Sequence, residues 1–135
     1  MVKKPEIKGW KDLPHGGVIQ SGTSEHFHTG NWRSKVPLWQ SKNCIHCMMC
    51  WAVCPDNSIK VEADGKRGAY DYNFCKGCGV CAVECPISVK VIKEIKADDQ
   101  AAKIDAWDGE KNPTFREKAA ILMISLKEAK EKHNI

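Results

Sequence analysis

Cys44-Ile45-His46-Cys47-Met48-Met49-Cys50-Trp51-Ala52-Val53-Cys54-Pro55 is the stretch that decides how the chain is read. Its spacing, Cys-x2-Cys-x2-Cys-x3-Cys-Pro, returns as Cys75-Lys76-Gly77-Cys78-Gly79-Val80-Cys81-Ala82-Val83-Glu84-Cys85-Pro86. Each cysteine of the second set lies 31 residues after its counterpart, and the eight cysteines of the chain are all used. Three cysteines at i, i+3 and i+6 can wrap one compact group from a short loop. The fourth, four residues on and followed by proline, has left that loop.

The doubled run resembles that of bacterial ferredoxins, whose thiolates hold [4Fe–4S] clusters and whose fourth cysteine ligates the cluster of the other half. The resemblance implies cluster I on Cys44, Cys47, Cys50 and Cys85, and cluster II on Cys75, Cys78, Cys81 and Cys54. Such an exchange ties the halves together, so neither should fold alone, and loss of iron should unfold the module. An even number of cysteines also suits a disulfide scaffold, but that needs an oxidising compartment. The start, Met1-Val2-Lys3-Lys4-Pro5-Glu6, leads into no apolar signal region, so the expected location is cytoplasmic. Zinc sites usually show two short cysteine knuckles across a spacer, rather than three evenly spaced cysteines plus Cys-Pro.

At 135 residues the chain is one domain plus extensions. Its 42% hydrophobic fraction includes the eight cysteines, so two cubanes would serve as staples for a small core. No apolar run approaches the ~20 residues of a membrane span. The formal charge of +4 treats cysteine as neutral. Two clusters with four thiolates each, at about −2 apiece, bring the loaded protein to about zero. With no basic–aromatic patch, nucleic acid is not an expected partner.

The expected fold is α+β: a two-[4Fe–4S] ferredoxin-like core, duplicated about a pseudo-twofold, with a loop-rich N-terminal arm and a C-terminal helix. Residues 1–43 form the arm. His15-Gly16-Gly17 and Ser21-Gly22-Thr23-Ser24 read as loops and little regular structure is expected. Trp10, Trp32 and Trp39 read as contacts to another surface. Residues 44–92 are the core. Ser58–Glu62 and Ala69–Tyr72 alternate as strands around a turn at Asp64-Gly65-Lys66-Arg67-Gly68. Ser88-Val89-Lys90-Val91 repeats the pattern of Ser58-Ile59-Lys60-Val61. Short helices are expected over about Trp51–Cys54 and Ala82–Cys85.

Residues 93–135 are a charged linker and a helix from Pro113 to Lys132. Asn112 suits its N-cap and Pro113 its first turn. Phe115, Ala119, Leu122, Leu126 and Ala129 share one face, widened by Ile121, Met123 and Ile124. That face is too broad for the small core, so it is read as docking on a partner subunit.

The loops around the two tetrads differ. Bulky Met48, Met49 and Trp51 flank the first, and Gly77 and Gly79 the second. Glycines that let N–H groups approach sulfur stabilise the more negative reduced state. Cluster I is therefore expected to have the lower potential. His46, between two ligands, reads as packing or surface, and His26-x-His28 as a loop contact rather than a metal site.

Thr29-Gly30-Asn31-Trp32-Arg33 followed by Val36-Pro37 resembles the T-G-x-W-R…P segment of the delta subunits of 2-oxoacid:ferredoxin oxidoreductases, the pyruvate synthase family. Cys54-Pro55-Asp56 with Ile59, and Cys75-Lys76-Gly77-Cys78-Gly79, are similar to that family too. The resemblance implies an electron-transfer subunit of an oxidoreductase, not itself catalytic, in a complex with alpha, beta and gamma subunits. Thiamine diphosphate, with coenzyme A as substrate, would sit in those partners. Electrons from 2-oxoacid decarboxylation would pass through this chain to external ferredoxin. The alternatives are an iron–sulfur subunit of another multi-subunit oxidoreductase, or a free ferredoxin. A free carrier would need little beyond the core, whereas extensions make up more than half of this chain.

Overall fold

The structure is a computed structural model and describes residues 9–12, 16, 18 and 21–135. Of the loop expected at His15-Gly16-Gly17, only Gly16 falls within that range. The fold is mixed α and β. Its strands are β1 (Lys35–Trp39), β2 (Ile59–Val61), β3 (Arg67–Tyr70) and β4 (Ile121–Ser125). Its helices are α1 (Met49–Ala52), α2 (Val80–Val83), α3 (Pro86–Asp98), α4 (Pro113–Lys118) and α5 (Leu126–His133). The strands form two antiparallel ribbons, β1 with β4 and β2 with β3.

The short helices lie near the expected places but begin earlier, each containing the third cysteine of its tetrad, Cys50 or Cys81. The two halves then diverge. After Pro55 the chain turns through Asp56 and Asn57, the latter left-handed at φ 47°, and enters β2. Asp and Asn favour such turns. After Pro86 no Asp-Asn pair follows, and the expected strand at Ser88–Val91 is instead part of α3. Pro86 occupies its first turn, and Ser88, Val91 and Ile95 are buried at helical spacing. Alternation over four residues was too short to exclude this period.

The single helix expected from Pro113 to Lys132 is also corrected. Its start holds: Asn112 Oδ1 accepts the Phe115 N–H at 3.1 Å, with Pro113 in the first turn. The helix then stops at Lys118, and Ile121–Ser125 runs as β4. Every residue from Ala119 to Ile124 is buried, a continuous run that suits a strand covered on both faces. Ser125 then caps α5, its Oγ accepting the Glu128 N–H at 3.2 Å. Ser125-Leu126-Lys127-Glu128 has the Ser-x-x-Glu form of a capping box, a start signal that lies inside the supposed helix.

The apolar face assigned to a partner is therefore turned inward. β4 pairs with β1 in the register Val36↔Ile124 and Leu38↔Leu122. Val36, Phe115, Met123, Ile124 and Ala129 are completely buried. The N-terminal segment thus contains a core strand where little regular structure was expected. It also supplies caps: the Gln40 amide donates to the carbonyls of Arg116 in α4 at 2.8 Å and of Ala119, just past its end, at 2.9 Å. Trp39, read as a partner contact, packs against the core, whereas Trp10 and Trp32 face outward.

The β2–β3 ribbon contains an irregularity of register between Ile59↔Tyr70 and Val61↔Arg67, where three steps on β3 oppose two on β2. Arg67 and Tyr70 would point to opposite faces of a regular strand. The extra residue turns both inward, and both are buried.

Truncating Met123 removes a fully buried side chain from the middle of β4. Met123→Ala should lower stability by about 2–5 kcal/mol, read from the urea midpoint under anaerobic conditions. A change below about 0.5 kcal/mol would mean that β4 is not a core strand.

Candidate metal centres

The eight thiols line two cavities. One is bounded by Cys44, Cys47, Cys50 and Cys85 with His46, Met48, Arg67, Ile87 and Ile121. The other is bounded by Cys54, Cys75, Cys78 and Cys81 with Pro37, Tyr70, Gly77 and Gly79. Each takes three cysteines from one tetrad and the fourth from the other. Among the described residues no three His, Cys, Asp or Glu side chains converge on a single-ion site. The thiols instead wall a volume, the arrangement a polynuclear group needs.

The two loops share one backbone device. His46 and Met48 are left-handed at φ 53° and 62°, and Gly77 and Gly79, at the matching positions, at φ 67° and 81°. The first loop therefore adopts with side-chain-bearing residues, at a cost of about 1–3 kcal/mol each, what the second adopts with glycine. In the first loop the His46 N–H lies 3.4 Å from Cys44 Sγ, and in the second the Gly77 N–H lies near enough to Cys75 to favour its thiolate. An N–H directed at sulfur is thus common to both, and glycine content alone does not separate their electrostatics. The glycines have a second reason. A Cβ on Gly77 would strike the Lys35 carbonyl, and one on Gly79 the Trp107 ring.

Burial grades the thiols. Cys50, Cys75, Cys81 and Cys85 are buried, Cys44 and Cys54 half-buried, and Cys47 and Cys78, one per cavity, exposed. Burial pushes the Cys81 thiol up to about 12. It also raises Cys50 and Cys75, with the Arg67 guanidinium pulling against it at Cys50. Unliganded, these sites favour the neutral thiol, so a group that binds here must displace protons, as iron does when it takes thiolate ligands. Donors are ready for the resulting charge: the Tyr70 O–H donates to Cys81 Sγ at 3.2 Å, and the Ser58 N–H to Cys54 Sγ at 3.3 Å. Arg67 Nε and Nη2 are buried in the wall of the first cavity with no hydrogen-bond partner among the described residues. Thiols, sulfur-directed donors and an unpaired cation fit an anionic iron–sulfur cluster.

The Thr29–Arg33 segment braces the second tetrad. The Gly30 N–H donates to the Asn73 carbonyl at 2.8 Å, and a Cβ on Gly30 would strike the Tyr72 carbonyl. Arg33 Nη1 donates to the carbonyls of Gly30 at 2.8 Å, Tyr72 at 2.5 Å and Cys75 at 3.3 Å. The Tyr72 O–H donates to the Pro37 carbonyl at 2.9 Å. The Gly30, Arg33 and Pro37 positions thus have structural reasons, whereas Trp32 remains 65% exposed. His46 stacks edge-on against Trp39, and His28 against Phe74. Arg67 was missed: a basic residue in a Gly-flanked turn carries no sequence sign of burial.

Fold and cavities define a ferredoxin-like protein built for two clusters, and residues 43–112 match the 4Fe-4S dicluster domain family. Pyruvate synthase subunit PorD of Thermotoga maritima is 44% identical over 81 residues, 59% of this chain and 81% of the relative. Its namesake from Methanothermobacter marburgensis is 41% identical over 76 residues, 56% and 85% of the two chains. Ketoisovalerate oxidoreductase subunit VorD of Pyrococcus furiosus is 43% identical over 59 residues, 44% and 55%. The chain belongs to the family of delta, iron–sulfur subunits of 2-oxoacid:ferredoxin oxidoreductases. No described helix is long and apolar enough to cross a membrane.

Arg33→Ala removes three charge-assisted hydrogen bonds around the second tetrad. It should cost about 2 kcal/mol or more, measured by anaerobic thermal unfolding. An unchanged unfolding midpoint would show that the segment is not a brace.

Proposed function

We propose that the chain is the electron-transfer subunit of a thiamine-diphosphate-dependent 2-oxoacid:ferredoxin oxidoreductase. It relays single electrons from oxidative decarboxylation of pyruvate or a related 2-oxoacid to ferredoxin. The observation that carries this reading is the pair of four-thiol cavities in a chain with the pyruvate synthase delta-subunit sequence. Cluster I is assigned to Cys44, Cys47, Cys50 and Cys85, and cluster II to Cys75, Cys78, Cys81 and Cys54, which the lining of the cavities supports. The bound clusters supply one-electron acceptance and release. The chain's residues fix their position, keep water from their inner faces and leave the Cys47 and Cys78 edges open for entry and exit. The core is read as a pseudo-twofold duplication. Matched left-handed positions and matched exposed cysteines support it, although α3 has no counterpart after Pro55.

The proposed organisation keeps the ferredoxin domain at 44–92, with 1–43 as an extension and 93–135 as linker and C-terminal segment. β1 and β4 lie in those flanks, so the domain relies on both. The alpha, beta and gamma subunits would carry thiamine diphosphate and bind coenzyme A. Free thiols committed to iron suit a reducing cytoplasm.

Purified anaerobically from its native source, the chain should bring down thiamine-diphosphate subunits and carry about eight irons, one per cubane corner. 2-Oxoacid and coenzyme A should reduce ferredoxin only when it is present. A colourless protein, or a brown monomer without partners, would overturn the reading. The ligand crossing has its own test. Cys54→Ala should give the same reduced-state EPR spectrum as Cys78→Ala, and Cys85→Ala the same as Cys47→Ala. The opposite grouping would refute the crossed assignment.

A further inference from the structure

Arg67 is 1% exposed, yet pairs with no carboxylate among the described residues. Nη1 donates to the Gly68 carbonyl at 2.6 Å, while Nε and Nη2 have no hydrogen-bond partner among those residues. The guanidinium lies between two rings, 4.2 Å from the Trp39 centroid and 4.3 Å from that of Tyr70. Arginine stays protonated in proteins, so this is a permanent buried cation. A buried charge left unpaired is strongly destabilising, and two ring faces satisfy only part of that need. The remaining counter-charge must come from the cavity that Arg67 lines with Cys44, Cys47, Cys50 and Cys85.

The second cavity is built differently. The cation in its lining, Lys76, is paired with Asp56, which also lines the wall. Arg33, outside the lining, is bonded to the carbonyls of Gly30, Tyr72 and Cys75 behind the loop. The charge there is cancelled locally and stands partly in solvent. Tyr70 O–H is directed at Cys81, a dipole rather than a full charge. The lining of the first cavity therefore contains a cation without a carboxylate among the described residues, and the lining of the second contains only a cation that is paired.

The geometry points to Arg67 as the fixed countercharge of cluster I, holding that cluster's reduction potential above the value its thiolates alone would give. The inference rests on the cluster assignment proposed above. Adding one electron to a cavity walled by four thiolates increases a negative charge already present. A fixed cation close by in a low-dielectric wall offsets that increase and favours the reduced state. The effect opposes the expectation, drawn from loop glycines, that cluster I has the lower potential. The device depends on three parts of the fold. The β3 irregularity turns Arg67 inward, β1 supplies Trp39, and Tyr70 closes the sandwich.

The test is an EPR-monitored redox titration of the anaerobic holoprotein and its Arg67→Gln and Arg67→Lys variants, each first assayed for iron. A wild-type protein without iron–sulfur clusters would refute the proposed function itself. With about eight irons bound, Arg67→Gln should move one midpoint to more negative potential by at least a tenfold change in the reduction equilibrium, about 59 mV for one electron. The other midpoint should stay in place, and Arg67→Lys should recover part of the shift. Two unmoved midpoints in an iron-replete Arg67→Gln protein would overturn the inference. If that variant fails to hold iron, electron–nuclear double resonance of the reduced wild-type protein decides. With the protein produced on 15N-labelled arginine, a guanidinium nitrogen coupling to one cluster that persists in Arg33→Lys supports Arg67, and its absence overturns the inference.

Discussion

Each four-thiol cavity is completed by a cysteine from the opposite half of the chain, Cys85 in one and Cys54 in the other. Either half alone has three thiols and an open side. The rest of the fold follows from keeping those halves in register. α1 and α2 present the third cysteines, the β1–β4 ribbon contributes Ile121 to one cavity and Pro37 to the other, and Thr29–Arg33 braces the second loop. The core beneath is small, and most of its fully buried side chains belong to β1, α4 and β4 rather than to the cysteine-bearing stretch. Cofactor site and hydrophobic core lie side by side, with Arg67, Tyr70 and Trp39 at their boundary.

The cysteines were legible because metal ligation imposes residue type and spacing at once, a pairing of demands that little else in protein chemistry makes. Asn112-Pro113 was legible for a similar reason, since cap and fixed φ are local requirements. The segment after it was not. Phe115, Ala119, Leu122 and Leu126 fit a helical period, and Ala119–Ile124 fits an all-buried strand equally well. The partner for that strand, Lys35–Trp39, lies far away in sequence, so no local pattern could decide. The capping box at Ser125–Glu128 was the one local sign that a new helix begins there.

Arg67 shows a different limit. Its burial depends on one extra residue in a ribbon, which reverses the face on which a side chain lies. Inside/outside reasoning from alternation fails at such a point, and a charged residue makes the failure large. Trp39 follows from the same feature. It reads as a docking residue until a cation appears for its ring to cover.

The β1–β4 pairing also sets an order of events during synthesis. Every cysteine leaves the ribosome before Ile121, yet the ribbon that covers the folded core cannot close until β4 has emerged. Contacts so distant in sequence form slowly. For that interval the nascent chain has all eight thiols on one unclosed segment, accessible to the machinery that delivers iron and to oxidants alike. Closure of the last strand then limits access to both.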